Sequence, residues 1–279
     1  MKRIEVEEKV FGQFEDYRGK DDANRALGRL VRVADQKQKE DADRIALVIL
    51  EGHWFDFDDC PGQASNAPFL DGVCRLYKNT RSYRLNFYDA DSFGHALEAV
   101  ATLPETRIVL YIGAHGSKGK VGTAHSTNLM KKVAEFSRKK KVEGILLSSC
   151  FAASHDGAMQ EALKGGSNWI FGYRTAVDFL GSVQVEAAIL AQMAATSTDF
   201  SDTESAVVEA IGEALRCFNP AWEMGEDPHP TLRQAFRLVV RGKHMKTAVD
   251  YTLDAAGHAW PQPAPAPASA LVPAARRAA

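Results

Sequence analysis

The sequence lacks several features that would assign a function at once. Its 279 residues include four cysteines and no Cys-x-x-Cys pair, which argues against a disulfide framework or a cysteine-bound metal. No apolar run approaches the ~20 residues needed to cross a bilayer. No Gly-x-Gly-x-x-Gly or Walker motif occurs, and the net charge is −2. We therefore expect no cofactor, no metal, no membrane contact and no direct nucleic-acid partner.

The two ends of the chain differ in composition from its middle. Residues 1–43 are charge-dense, and the apolar stripe within 22–42 predicts a helical extension. This segment lacks the apolar core of a secretion signal, so the expected location is the cytoplasm. Residues 261–279 are rich in proline and alanine and predict a disordered tail. Residues 44–260 are expected to form the folded domain.

The middle of the chain alternates between short apolar runs and amphipathic segments. Strands are predicted at 45–50, 83–88, 107–115, 143–150, 169–173 and 236–240, the last of which also fits a helix. Helices are predicted at 68–77, from Asp91, from Ser126, and at 155–164, 179–196 and 202–218. Such alternation is typical of parallel strands joined by right-handed helical crossovers. The expected fold is an α/β three-layer αβα sandwich with a mostly parallel central sheet.

Two of the predicted strands stop at reactive side chains. Residues 107–116 read Arg-Ile-Val-Leu-Tyr-Ile-Gly-Ala-His-Gly, and residues 143–150 read Glu-Gly-Ile-Leu-Leu-Ser-Ser-Cys. Chemistry in open parallel sheets sits at the carboxyl ends of the strands, so His115 and Cys150 are expected at one edge. An imidazole that takes the thiol proton, and a thiolate that attacks a carbonyl, make a cysteine nucleophile. Inert packing is the alternative interpretation of Cys150 taken alone.

The two strand ends, in this order, resemble those of the caspase-like (clan CD) cysteine peptidases, which include caspases, metacaspases and the bacterial CHAT group. The resemblance covers about residues 44–190. It implies a caspase-like sandwich in which Cys150 is the nucleophile and His115 the general acid/base. It also implies that the backbone N–H groups of Gly116 and Cys150 form an oxyanion hole. A glycine suits that place because no β-carbon obstructs the substrate.

The resemblance also bears on substrate preference, because in this family the charge of the first pocket selects the residue that is cleaved. Ser148 stands two residues before the nucleophile, where metacaspases and paracaspases carry an aspartate. Other carboxylates follow the first strand or the strand at 169–173: Glu51, Asp56, Asp58, Asp59 and Asp178. We favour Asp178 and expect cleavage after Arg or Lys, while Arg174 keeps open the opposite choice, cleavage after Asp.

The segment that follows Cys150 bears on how the protein is regulated. About 18 residues separate Cys150 from Trp169, too few for the long linker that is cut when caspases are activated. We expect an uncut chain that cleaves a partner protein and is switched on by a regulatory protein or ligand. The resemblance places such enzymes in bacterial defence or cell-death systems.

Two other functions fit the same sequence features. The alternatives are a catalytically silent caspase-like interaction module and another hydrolase with a Cys-His pair.

Overall fold

A computed structural model of the chain describes residues 44–52, 54, 65–196, 203–225, 229–242 and 247–261. Several predicted features lie outside these residues: the helix at 22–42, the tail beyond residue 261, and the acidic residues Asp56, Asp58 and Asp59. The predicted boundaries of the folded domain therefore stay predictions.

The apolar runs of the sequence form the centre of a seven-stranded sheet. β1 (Ile45–Glu51), β3 (Arg107–Gly113) and β7 (Val142–Ser148) are buried along their whole lengths. Three two-residue strands follow β3 and form a separate small sheet: β4 (Gly116–Ser117), β5 (Lys120–Val121) and β6 (Ala124–His125). The outer strands of the large sheet are β2 (Thr80–Asn86), β8 (Trp169–Tyr173), β9 (Phe236–Val240) and β10 (Val249–Asp250).

The strand order in the large sheet is β10-β9-β8-β7-β3-β1-β2. The five strands from β8 to β2 are parallel, whereas β9 and β10 run antiparallel to their neighbours. A parallel sheet needs helices on both faces to bury its apolar side chains, which explains why its central strands are apolar throughout rather than alternating.

Helices cover both faces of the sheet. One face carries α1 (Ala67–Leu76), α5 (Phe179–Ala195), α6 (Glu204–Leu215) and α8 (Thr252–Ala259). The other carries α2 (Ala90–Val100), α3 (Ser126–Ser137) and α4 (Asp156–Lys164), while the single turn α7 (Leu232–Ala235) leads into β9. The predicted αβα sandwich is confirmed. Within the described chain, no helix has the length and apolarity that a membrane span requires.

Local structure departs from the sequence-based expectation at a few element ends. The cap of α2 is Asp89 rather than Asp91, because its carboxylate accepts the backbone N–H groups of Asp91 and Ser92. The segment at 236–240 is a strand because it pairs with β8. The strands leading to His115 and Cys150 each end two residues earlier than predicted. The sequence analysis did not predict the small sheet, whose turns use positive φ angles at Gly119 and Gly122.

Close packing of β7 on β8 gives a test of the sheet. A β-carbon at Gly144 would collide with the Trp169 indole, which is buried in the sheet and cannot move aside. We expect Gly144→Ala to lower the free energy of unfolding by about 1–3 kcal/mol in urea titrations. As a control, Gly72→Ala on the exposed side of α1 has nothing within 4 Å and should raise it by roughly 0.5–1 kcal/mol. Equal stabilities of the two variants would contradict the packing.

Candidate active site

The pairing of β3 with β7 sets the positions of His115 and Cys150. The two strands run parallel with Gly113 opposite Ser148. The Ala114 N–H also donates to the Ser148 carbonyl at 3.2 Å, which carries the pairing one residue beyond the strands. His115 and Cys150 each lie two residues past the last paired position. Both side chains therefore leave the same edge of the sheet at the same level.

The two side chains open into one cavity of about 210 Å³ at the carboxyl edge of the sheet. The Trp54 and Phe179 rings meet edge to face there, with centroids 5.0 Å apart. His115 is exposed and Cys150 is half-buried, so a molecule in the cavity can reach both. The cavity is lined by Trp54, Ala114, His115, Ser148, Ser149, Cys150, Val177, Phe179 and Ser182.

The backbone around Cys150 holds the thiol in a fixed place. The Val177 N–H donates to the sulfur at 3.4 Å, and the thiol can donate to the Val177 carbonyl at 3.5 Å. The two contacts hold the sulfur against the backbone of Val177. The next residue, Phe151, has left-handed backbone with φ 59°. For a bulky side chain this costs on the order of 1–3 kcal/mol, and such strain clusters at functional sites.

The residues that follow β3 lie close to the backbone of Cys150. The His115 carbonyl accepts the Gly122 N–H at 2.8 Å, which ties the chain after β3 to the small sheet. A β-carbon at Gly116 would collide with the backbone N and O of Cys150, so only glycine allows this approach. Among the described residues, no acceptor takes the Cys150 N–H and no hydrogen bond engages the His115 imidazole.

The predicted substrate-binding residues fall in different places. Ser148 is buried and lines the cavity, whereas Asp178 does not line it. The Asp178 carboxylate instead caps α5 by accepting the Gly181 N–H at 2.6 Å. The Arg174 guanidinium donates to the Phe236 carbonyl at 2.9 Å, away from the cavity lining. Asp56 lies outside the described residues.

Glu51 acts on the cavity through a wall residue. Its buried carboxylate accepts the Trp54 indole N–H at 3.2 Å, the Ser65 hydroxyl at 2.6 Å and the Asn66 N–H at 2.7 Å. Arg84 pairs with it at 3.4 Å. Glu51 therefore orients the indole that lines the cavity rather than contacting the cavity space itself.

A carboxyl group that the sequence analysis missed lies behind the cavity. Glu186 is 1% exposed and sits on α5 one turn beyond Ser182, which lines the cavity. The hydroxyls of Ser148, Tyr111 and Tyr173 face the carboxyl. None of them makes a regular hydrogen bond with it, and neither carboxyl oxygen has a partner among the described residues. The signal was in the sequence, because Glu186 is the one charged residue of the 17-residue α5.

Burial sets the protonation of this group. Loss of hydration raises the pKa of Glu186 to about 8, and the facing hydroxyls of Ser148, Tyr111 and Tyr173 only partly oppose the shift. The Ser148 and Ser149 hydroxyls at the cavity are also buried without a hydrogen-bond partner among the described residues. Buried polar atoms without partners are uncommon in folded proteins, so those at and behind the cavity are candidates for contact with a polar ligand.

Comparisons with known proteins give distant structural similarity. A secreted C11 cysteine protease from Bacteroides thetaiotaomicron matches at TM-score 0.49 and 14% identity, over 71% of this chain and 66% of that one, slightly under two thirds. Caspase-1 from Spodoptera frugiperda matches at TM-score 0.47 and 9% identity, over 72% of this chain and 88% of that one. No model of a protein family matches the sequence, and no curated protein does. No family assignment follows from similarities of this size.

The raised pKa of Glu186 predicts a pH-dependent stability. The ordinary value is 4.5 and the folded value about 8, so folding favours the protonated acid. The stabilisation is fully present below about pH 4.5 and is lost as the pH rises to about 8. The Tm of the wild type should therefore fall relative to Glu186→Gln across this window and run parallel to it above.

Thermal unfolding of both proteins from pH 4 to 9 measures this difference. The control is Glu209→Gln, which replaces an exposed glutamate on α6 and should show no such window. A constant Tm difference between wild type and Glu186→Gln would show that Glu186 ionises at the same pH in the folded and unfolded chains.

Proposed function

We propose that the chain is a cysteine endopeptidase in which Cys150 and His115 form the catalytic dyad. One observation carries the proposal: the β3–β7 register puts both side chains two residues beyond the same paired position, on one cavity. The free Cys74 and Cys217 do not line that cavity, and Cys74 is buried. A reactive thiol should be reachable from solvent and share its site with a base, and half-buried Cys150 lines one cavity with His115.

The steps of peptide cleavage follow from these positions. The imidazole takes the thiol proton, and the sulfur attacks the scissile carbonyl carbon, forming a C–S bond while the carbonyl electrons move to oxygen. The N–H groups of Cys150 and Gly116 bind that oxyanion. On collapse the C–N bond breaks and the imidazolium protonates the departing amine. Water, deprotonated by the same imidazole, then attacks the thioester carbonyl; the C–S bond breaks, the imidazolium returns its proton to the sulfur, and the carboxylic acid product is released.

The preferred substrate follows from the inner end of the cavity. A side chain that passes Ser182 and Ser148 would approach Glu186, whose carboxyl oxygens are unused among the described residues. A guanidinium or ammonium group donates hydrogen bonds to a carboxylate and neutralises its negative charge. We therefore propose cleavage after Arg or Lys, with Glu186 rather than Asp178 as the selecting acid, since Asp178 caps a helix.

Control by a partner protein or ligand is part of the proposal. The segment between Cys150 and Trp169 folds into a 3₁₀ turn, Ala152–Ser154, and α4, and so supports an uncut chain. The His115 imidazole has no hydrogen bond to the described residues that fixes its orientation, so a partner or ligand that orients it toward Cys150 would switch the dyad on. A role in bacterial defence or cell death rests on the resemblance of the two strand-end motifs.

The dyad makes a specific prediction about hydrolysis of peptide substrates. Cys150→Ala and His115→Ala should each lower kcat/KM by at least about 10³-fold, because the two groups act as a unit. Gly116→Ala should also lose activity, since the added carbon meets the Cys150 backbone. Cys217→Ala and His125→Ala, two exposed positions, are the controls and should keep wild-type rates.

Cleavage of a mixed peptide library, with products identified by mass spectrometry, provides the measurement. Hydrolysis that survives Cys150→Ala would assign the activity to another group. A wild-type protein that neither cleaves nor binds any peptide would favour the silent interaction module instead.

Specificity gives a second prediction. Glu186→Gln should lower kcat/KM for Arg and Lys peptides by roughly 10²-fold or more. The amide cannot neutralise the positive charge of the bound Arg or Lys side chain, which would then be buried without a partner. Asp178→Asn keeps a capping oxygen and should leave the preference for basic residues intact. Wild-type cleavage after Asp, with Arg and Lys peptides inert, would contradict the assignment of Glu186.

A further inference from the structure

We propose that Glu186 is uncharged while the cavity is empty and ionises when a basic side chain enters, so that binding of Arg or Lys releases one proton. The inference rests on the proposed peptidase function and adds a regulation of the same site. The pH of the solution would then set how much more tightly the protein binds a basic side chain than a neutral one of the same shape.

Burial is the first step of the argument. The Glu186 side chain is 1% exposed within the apolar cluster between the sheet and α5. Among the described residues it has no ion pair, and its oxygens have no hydrogen-bond partner. An isolated carboxylate in such a place loses its hydration without compensation, so the neutral acid is favoured. The raised pKa agrees with this conclusion from geometry.

The groups around Glu186 supply no positive charge in the empty site. The titratable groups that face it from the sheet are the phenols of Tyr111 on β3 and Tyr173 on β8. The carboxylates of Glu51 and Asp178 act on those phenols and are themselves acidic. The phenol hydroxyls partly favour the carboxylate of Glu186, but none of these neighbours supplies the positive charge that would offset its burial.

The helices packed on α5 also bring no positive charge to Glu186. On α1, Arg75 pairs with Asp71 at 2.7 Å, and Asp71 also accepts the Ser82 hydroxyl, away from the cavity. On α6, the Glu213 carboxylate pairs with Arg216 at 2.9 Å. Glu204 lies beside Tyr251, and Glu209 is exposed. Within the described chain, the cation that Glu186 lacks would therefore come with the substrate.

Entry of such a cation changes the balance in one defined step. The O–H bond of the carboxyl breaks, the proton passes to water, and the carboxylate pairs with the guanidinium or ammonium of the substrate. Because the ionised form is needed only in the complex, the apparent Kd for a basic peptide should fall by about tenfold per pH unit up to about pH 8 and then level. A neutral peptide should show no such dependence.

Isothermal titration calorimetry of the full chain carrying Cys150→Ala tests the proposal. The probes are an Arg peptide and the same peptide with citrulline, an uncharged isostere, each titrated at pH 7 in buffers of different ionisation enthalpy. The slope of the observed enthalpy against buffer enthalpy gives the protons released. The expected difference between the Arg and citrulline slopes is about one proton at pH 7, falling toward zero above about pH 9. Adding Glu186→Gln should abolish the difference and weaken Arg binding.

The outcomes separate this inference from the proposed function. If the wild type cleaves after Arg but Arg and citrulline release equal numbers of protons, the peptidase proposal stands and the proton release at Glu186 is wrong. If a proton is still released in Glu186→Gln, another group is its source and the inference is wrong. If no peptide binds and the wild type cleaves none, both fail together.

Discussion

The parallel pairing of β3 with β7 is the constraint on which the rest of the site depends. Gly113 lies opposite Ser148, and each strand delivers its reactive side chain two residues later. A slip of one residue would turn every side chain of a strand to the other face of the sheet. The apolar side chains of both strands are buried on both faces by helices, so the register is fixed by the whole core. The geometry of the candidate site is thus a consequence of core packing.

The same edge of the sheet carries features that cost stability. Phe151 adopts a left-handed backbone immediately after Cys150, and Glu186 is buried without a partner among the described residues. A carboxyl in such a place would be replaced by an apolar residue if packing alone mattered. Both features lie within one cavity wall or directly behind it. Their common location supports function rather than chance, because real proteins depart from folding rules mainly at functional sites.

Much of the fold could be predicted from the sequence because the signal is local and periodic. The apolar runs that form β1, β3 and β7 could hardly be anything but strands covered on both faces, and the alternation with amphipathic helices predicted the sandwich. His115 and Cys150 could be paired from their places at strand ends alone. What remained ambiguous, such as the strand at 236–240, depended on pairing with a strand distant in the chain.

The lining of the cavity was harder to predict, because its residues come from separate elements. The sequence analysis chose Asp178 by its position after a strand, yet its carboxylate caps α5, a local role that the sequence already permitted. Glu186 was overlooked because a single acid in an apolar helix does not reveal which face it occupies. Trp54 is held at the cavity by its hydrogen bond to Glu51 and its edge-to-face contact with Phe179, and no spacing rule predicts either contact.

The most direct test is a crystal structure of the protein after reaction with an arginyl peptide acyloxymethyl ketone. The account predicts a thioether bond from Cys150 Sγ to the inhibitor, the His115 imidazole beside it, and the arginine side chain directed into the cavity toward Glu186. A bond to Cys74 or Cys217, or an arginine side chain outside the cavity, would contradict it.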